Sequence, residues 1–203
     1  MKTKVIGITG RTKHGSIAGC GKTTVALEIQ RITGAVIYGL ADPIYEMIKV
    51  GLGIDGRSDE WQCRDKKNAP IEWLSTHEEF GICKQPSLRT LLETLGTEWG
   101  RDIVCRDVWT RLATRFISQQ KKDQLVLIPD IRFNDESEWL ESIGGVLVHV
   151  IRPDYEPMDA TVSHKSNQVL PIRECDFVIN NTGTICDLFI EVKNLLSRID
   201  TLK

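Results

Sequence analysis

The sequence predicts a doubly wound α/β fold, built on a mainly parallel five-stranded sheet. Three observations carry that expectation. Short β-branched runs are apolar on consecutive positions rather than alternating ones, as expected when helices cover both faces of a sheet. Helical apolar spacings lie between those runs. A Gly-Lys-Thr segment stands between the first run and the first helical stretch.

In chain order the expected strands are 4–9, 35–39, 124–129, 145–151 and 176–180. The first helix follows Lys22 and runs from Val25 to Ile32, and a second begins at Asp42-Pro43. Leu88, Leu91, Leu92 and Leu95 follow the i, i+3, i+4, i+7 spacing, with Pro86 and Ser87 as a start signal. Val104, Val108, Leu112 and Phe116 continue as a further amphipathic helix, and Leu188, Val192, Leu195, Leu196 and Ile199 form the last. Such alternation of strand and helix is the pattern of α/β domains.

Two stretches break the alternation. Residues 54–85 are charge-rich, carry Trp61 and Trp73, and lack a long periodic run. Residues 153–175 contain Pro157 and Pro171 among scattered polar groups. Their lengths exceed ordinary α/β connections, which favours function over plain surface excursions. The first reads as an acceptor-binding insertion, extending as a region over 54–101, and the second as a lid over 152–175. Both belong to one domain spanning 1–203.

The composition suits an enzyme of that size. The chain has 203 residues, 41% apolar and 27% charged, with a formal net charge of -2. No global basic surface points to nucleic acid, although a local groove can still be basic. No stretch approaches the length that spans a membrane, and MKTKVIGITG reads as a first strand rather than a signal peptide. The six cysteines include no C-x-x-C pair, so they read as reduced thiols of a cytosolic protein.

Chemistry concentrates first around Gly19-Cys20-Gly21-Lys22-Thr23-Thr24. Strand, loop and helix in succession place backbone N–H groups at a helix N-terminus, facing the phosphates of a nucleotide. Lys22 neutralises developing charge and the Thr23 hydroxyl ligates Mg²⁺, so the segment predicts ATP as phosphoryl donor. The strict pattern G-x-x-x-x-G-K-[ST] is not met, because Ser16 stands five before Gly21. Removing 12–17 would restore it with Gly10 as the first glycine. The loop therefore carries a six-residue insertion, or else Ser16 replaces the glycine with no excursion.

Four further stretches resemble the deoxynucleoside monophosphate kinase family of bacteriophages. They are Leu40-Ala41-Asp42-Pro43-Ile44-Tyr45, Leu88 to Asp102 with its Leu-Gly-Thr-Glu-Trp-Gly-Arg string and Trp109 beyond, Ile128-Pro129-Asp130-Ile131-Arg132-Phe133-Asn134-Asp135-Glu136, and Asp176 to Thr184. The resemblance implies a P-loop fold like that of NMP kinases, a three-layer sandwich. It also implies ATP with Mg²⁺ and a deoxynucleoside monophosphate as acceptor, and it leaves a homodimer open.

The residues make chemical sense in that setting. Arg89 and Arg101 are candidates for bidentate contact with the acceptor phosphate, against the plainer reading of solvated arginines. Glu93 and Glu98 either orient those guanidiniums or are simple helix-face charges. Asp42 either acts at the Mg²⁺ water and the attacking phosphate oxygen or caps its helix; both roles are compatible. Asp130 ends an apolar run, the place of a carboxylate that holds Mg²⁺ through water, with capping as the alternative. Arg132 beside it is placed to reach the transferring phosphoryl group.

Arg152 and Arg173 bracket the lid, with His164 and Lys165 between them, and one of these cations is expected on the ATP phosphates. Asn167 stands where the family tends to carry an acidic residue. Asn180, Asn181 and Thr182 are expected to line the adenine pocket, or to form a turn. For each of Trp61, Trp73, Trp99 and Trp109 a core role outweighs stacking on the acceptor base. Two rivals remain: a kinase acting on a modified base or nucleotide in DNA or on a small metabolite, and a nucleotide-binding module without catalysis.

Overall fold

Strand β1, Lys4–Thr12, is the middle strand of a five-stranded sheet ordered β2-β3-β1-β4-β5 in this computed structural model. The others are β2 (Val36–Ile37), β3 (Leu125–Ile128), β4 (Val146–Arg152) and β5 (Phe177–Asn180). The structure describes residues 4–12, 19–61, 64–75, 85–154 and 169–201. Every pairing is parallel, so the sheet is wholly rather than mainly so. All five expected strands are present. The order places the carboxyl ends of β1, β3 and β4 side by side where the winding reverses, the place at which α/β ligands collect.

Helices cover both faces, which makes the three-layer sandwich. On one face lie α1 (Lys22–Thr33) and α7 (Ile185–Thr201). Their Val25, Ala26, Ile29, Leu188, Val192 and Leu195 pack on Ile6, Ile8, Val148, Val150 and Ile179. Fully burying each Val, Leu or Ile of this set contributes about 1.5–3 kcal/mol. The opposite face of β1 packs against α6 (Asn134–Ser142), whose Leu140 sits on Gly7. A Cβ at Gly7 would collide with that leucine, so the close approach of helix and strand requires glycine there. Periodicity does not announce α6, because its buried residues are Glu136, Ser137 and Leu140, of which only one is apolar.

The chain divides into two compact units, one made by Met1–Leu40 with Thr110–Lys203 and the other by Ala41–Trp109. The latter contains α2 (Asp42–Leu52), α3 (Arg64–Asn68), α4 (Leu88–Glu93) and two 3₁₀ turns, Asp59–Trp61 and Glu72–Leu74. Ser87 caps α4 as expected, its hydroxyl accepting from Thr90 N at 3.1 Å. The helix then widens into a π-helix, Thr94–Val104, and α5 (Val108–Ser118) begins beyond it. Val104 therefore belongs to the π-helix and not to α5, a correction to the expected boundary.

The π-helix has a packing reason. Trp109, which is buried, donates its indole N–H to Gly96 O at 2.7 Å. Its ring lies where a Cβ on Gly100 would be, with Cε2 only 2.8 Å from that position. Cys105 N donates to Gly100 O at 2.9 Å, a bond across five residues instead of four. The second glycine of Leu-Gly-Thr-Glu-Trp-Gly-Arg, Gly100, thus lets an indole seat on a widened helix.

Candidate active site

The phosphate-loop segment is shaped by two left-handed glycines, Gly19 at φ 76° and Gly21 at φ 99°. Gly21 is the N-cap of α1, which leaves the N–H groups of Lys22, Thr23 and Thr24 at an uncapped helix start. Alternation of left-handed and right-handed backbone makes a concavity lined with N–H groups, the ordinary receptor for a phosphate. Gly10 lies beneath this segment. A Cβ there would strike Cys20 Sγ and crowd the Lys22 Cδ at 3.2 Å.

Gly10 does not follow the strand, as the spacing argument expected. It lies inside β1, paired with Val150, and Arg11 and Thr12 continue the ladder opposite Ile151 and Arg152. Thr12 is buried, so it is not part of any outward excursion. The rest of the expected insertion, residues 13–17 with Ser16, lies outside the described residues. Gly10 still has the role of a loop glycine, because it is approached by the loop from above.

Lys22 is half-buried, and its Nζ lies 3.6 Å from Cys20 Sγ. Burial pushes its ammonium below the ordinary lysine range; the Cys20 thiol and Asp130 oppose that shift, and the Arg132 charge adds to it. Lys22, Asp130 and Arg132 thus share one electrostatic neighbourhood at the ends of β1 and β3. A cation held in that state gains from any phosphate that replaces its lost water. Asp130 Oδ1 accepts from Leu40 N at 2.8 Å, tying the end of β3 to the end of β2. Any ligand of this carboxylate has to share it with the Leu40 N–H.

Glu136 is a participant that the residue pattern did not single out. Its buried carboxylate accepts from Arg132 N at 2.8 Å and from Phe133 N at 3.1 Å, fixing the backbone that carries Arg132. Phe133-x-x-Glu136 is half of a capping box, and the absent Ser or Thr at the cap hides it from a motif search.

At the ends of β4 and β5 the Arg152 Nη1 donates to Gly19 O at 3.2 Å. Asn181 Nδ2 donates to Cys20 O at 3.0 Å. Asn180, Thr182, Gly183, Asp187, Ile190 and Glu191 line a cavity of about 420 Å³ beside them. Arg173 is engaged within the protein. It is held by Asp176, with Nη2 at 3.1 Å, and by Glu141, with Nη1 at 2.7 Å. Asp176 also lies 3.0 Å from the Nε2 of buried His149. Arg173 therefore anchors the foot of the expected lid, while His164, Lys165 and Asn167 lie outside the described residues.

Ala41–Trp109 carries the remaining candidates. Asp42 is the first residue of α2 and Ala41 is its N-cap, one position earlier than the sequence reading placed the helix start. It pairs with Arg57, whose guanidinium lies 4.1 Å from the centre of the Tyr45 ring. Arg89 donates Nε to Asn68 Oδ1 at 2.5 Å and lies 3.9 Å from Glu93, which orients it. Arg101 lies half-buried in the π-helix. Trp109 is core, whereas Trp73 and Trp99 are exposed at 65% and 39%.

The residues fit a magnesium ion. Mg²⁺ takes one or two protein oxygens and fills its octahedron with phosphates and water. The exposed Thr23 hydroxyl beside the helix start and the Asp130 carboxylate near Lys22 supply hard oxygen donors of that kind. Among the described residues Cys20, Cys105, Cys175 and Cys186 form no disulfide. Among the described residues no helix is long and apolar enough to cross a membrane.

Comparison with known proteins agrees with this geometry. A Thermus thermophilus protein of solved structure, TT1252, shares the fold, with a TM-score of 0.54 over 98% of both chains at 18% identity. The Deoxynucleoside-5'-monophosphate kinase of Escherichia phage T5 is 26% identical over 89% of this chain and 93% of its own. The Deoxynucleotide monophosphate kinase of Enterobacteria phage T4 is 32% identical over 87% of this chain and 94% of its own. The family model Deoxynucleotide monophosphate kinase matches residues 64–192. The chain belongs to the deoxynucleotide monophosphate kinase family and is a kinase with small nucleotide substrates.

Proposed function

We propose that the protein transfers the γ-phosphoryl group of ATP, with Mg²⁺, to a deoxynucleoside monophosphate, giving a deoxynucleoside diphosphate and ADP. The observation that carries this reading is the shared neighbourhood of Lys22, Asp130 and Arg132 under a loop built on Gly19 and Gly21. Phosphoryl transfer asks little covalent help from a protein; it needs positioning and positive charge around the phosphates. Lys22 and the N–H groups of Gly21 to Thr24 hold the donor's phosphates, and Arg132 stabilises charge on the moving group. Thr23 and Asp130 hold Mg²⁺, which when bound neutralises phosphate charge.

Arg89, steadied by Asn68 and Glu93, and Arg101 bind the acceptor phosphate. Asp42 orients the attacking side through its pairing with Arg57. The cavity lined by Asn180 and Thr182 has the volume of a small-ligand site and receives the adenine. The free thiols fit a reducing cytoplasm, that of the host cell for a phage-encoded chain.

The test is a coupled ADP-release assay with the four natural deoxynucleoside monophosphates and modified analogues. Turnover of at least one free monophosphate, abolished by removal of Mg²⁺, is expected. Activity with polymeric DNA alone would overturn the acceptor, and ATP binding without ADP release for any acceptor would overturn catalysis.

A further inference from the structure

The two peptide groups that lead into the first helix have their carbonyls held from outside. Gly19 O accepts from Arg152 at the end of β4, and Cys20 O accepts from Asn181, just after β5. Asn181 is itself fixed, because its backbone N–H donates to Ile151 O at 2.7 Å. Its amide nitrogen also stands 2.7 Å from the position a Cβ on Gly21 would take. Gly21 is therefore required twice, for its left-handed φ and for the room it leaves to Asn181.

A trans peptide points its N–H opposite its C=O. Drawing Gly19 O and Cys20 O toward the ends of β4 and β5 turns the N–H groups of Cys20 and Gly21 to the other side. The Gly21 N–H is one of the groups assigned to the phosphates above, and the Cys20 N–H adjoins it. Without the two donors, each peptide is free to flip and must be ordered when phosphate binds, which costs affinity.

We infer that Asn181 and Arg152 are positioning residues that pre-set the phosphate loop by clamping its two carbonyls, and that Asn181 does not read the adenine. The inference rests on the phosphate-loop reading above and departs from the expectation that Asn181 belongs to the base pocket. Asn181 acts through the backbone, so its contribution is the same for any ligand that carries the triphosphate.

Asn181→Ala and the isosteric Asn181→Asp, which cannot donate to Cys20 O, test it. Binding of MgATP, MgGTP and magnesium tripolyphosphate is measured by calorimetry, beside the monophosphate KM and the thermal midpoint. Weakening of all three by about tenfold is expected, the size of one lost hydrogen bond plus an exposed carbonyl, with Asp at least as severe as Ala and the monophosphate KM unchanged. Loss confined to ATP would show a base contact and overturn the inference, as would binding of all three at wild-type strength. Arg152→Ala, an exposed position that does not threaten folding, should repeat the pattern more weakly if the neighbouring carbonyl is clamped likewise. A wild-type protein that binds all three ligands yet releases no ADP defeats the kinase mechanism, while the binding series still decides the clamp.

Discussion

The loop around Lys22 and the Ala41–Trp109 unit position their cations in different ways. Around Lys22 the chain uses backbone: a helix start, two left-handed glycines, and carbonyls held by Arg152 and Asn181. Around Arg89 it uses side chains, with Asn68 and Glu93 holding a guanidinium on a helix that changes type within one turn. Backbone geometry is stiff and tolerates no added atoms. Side-chain geometry is adjustable and degrades in steps.

That contrast is broken most directly at Lys22. Lys22→Ala should lower kcat by about 10²- to 10³-fold, the scale of removing a group that stabilises the transition state, while the fold persists. Near-wild-type turnover in the coupled assay would show that the loop is not the donor site. Arg89→Ala is next: the KM for the monophosphate should rise by about 10- to 100-fold, the scale of charge-assisted hydrogen bonds. The ATP KM should hardly move. Asn68→Ala, which leaves the guanidinium but removes its guide, should show the same signature several-fold smaller; an equal loss would mean Asn68 itself meets the acceptor.

Adding one methyl group to each region sharpens the comparison. Gly10→Ala forces Cys20 and Lys22 aside, and Gly100→Ala pushes against the Trp109 ring. Both should cost about 1–3 kcal/mol in urea unfolding. Only Gly10→Ala should also weaken MgATP binding, and a loss of ATP affinity in Gly100→Ala would contradict the division of labour.

The smallest effect expected is a pH dependence at the cluster of Arg173, Asp176 and His149. Burial lowers the His149 pKa, opposed by Asp176. The Asp176 carboxyl is raised by burial, but the hydrogen bonds from Arg173 and His149 outweigh that and hold it below the usual carboxylate range. Both groups bind protons more readily unfolded than folded. Their stability contribution is complete above the ordinary pKa of each and is lost as pH falls through the folded value. Stability should therefore decline as pH drops below about 6.5 for His149 and further below about 4 for Asp176. His149→Gln should flatten the first step in urea midpoints recorded from pH 7 to pH 5, and an unchanged slope would remove His149 from the account.

Much of the fold was legible because its signals are local. The apolar runs of β1, β3 and β4 needed only their own residues to read as parallel strands, since helices cover the sheet on both faces. Ser87 and the Gly-Lys-Thr helix start were readable for the same reason. Helix α6 was hidden because Glu136 faces inward to hold backbone N–H groups, so the helix lacks an apolar stripe. The π-helix was hidden because it exists to seat Trp109, a residue beyond its own end.

By itself the sequence determined the α/β class, the strand–loop–helix run that carries Lys22 and Thr23, and the family resemblance across the chain, since each is a property of contiguous residues. Tertiary structure alone decided which polar groups are committed elsewhere. Arg173 is held by Asp176 and Glu141, Asp42 by Arg57, and Asn181 by a carbonyl 161 positions away in the chain. A motif states which groups a residue offers. Its partners depend on distances that only folding sets, and a hydrogen bond already made is not available to a ligand without cost.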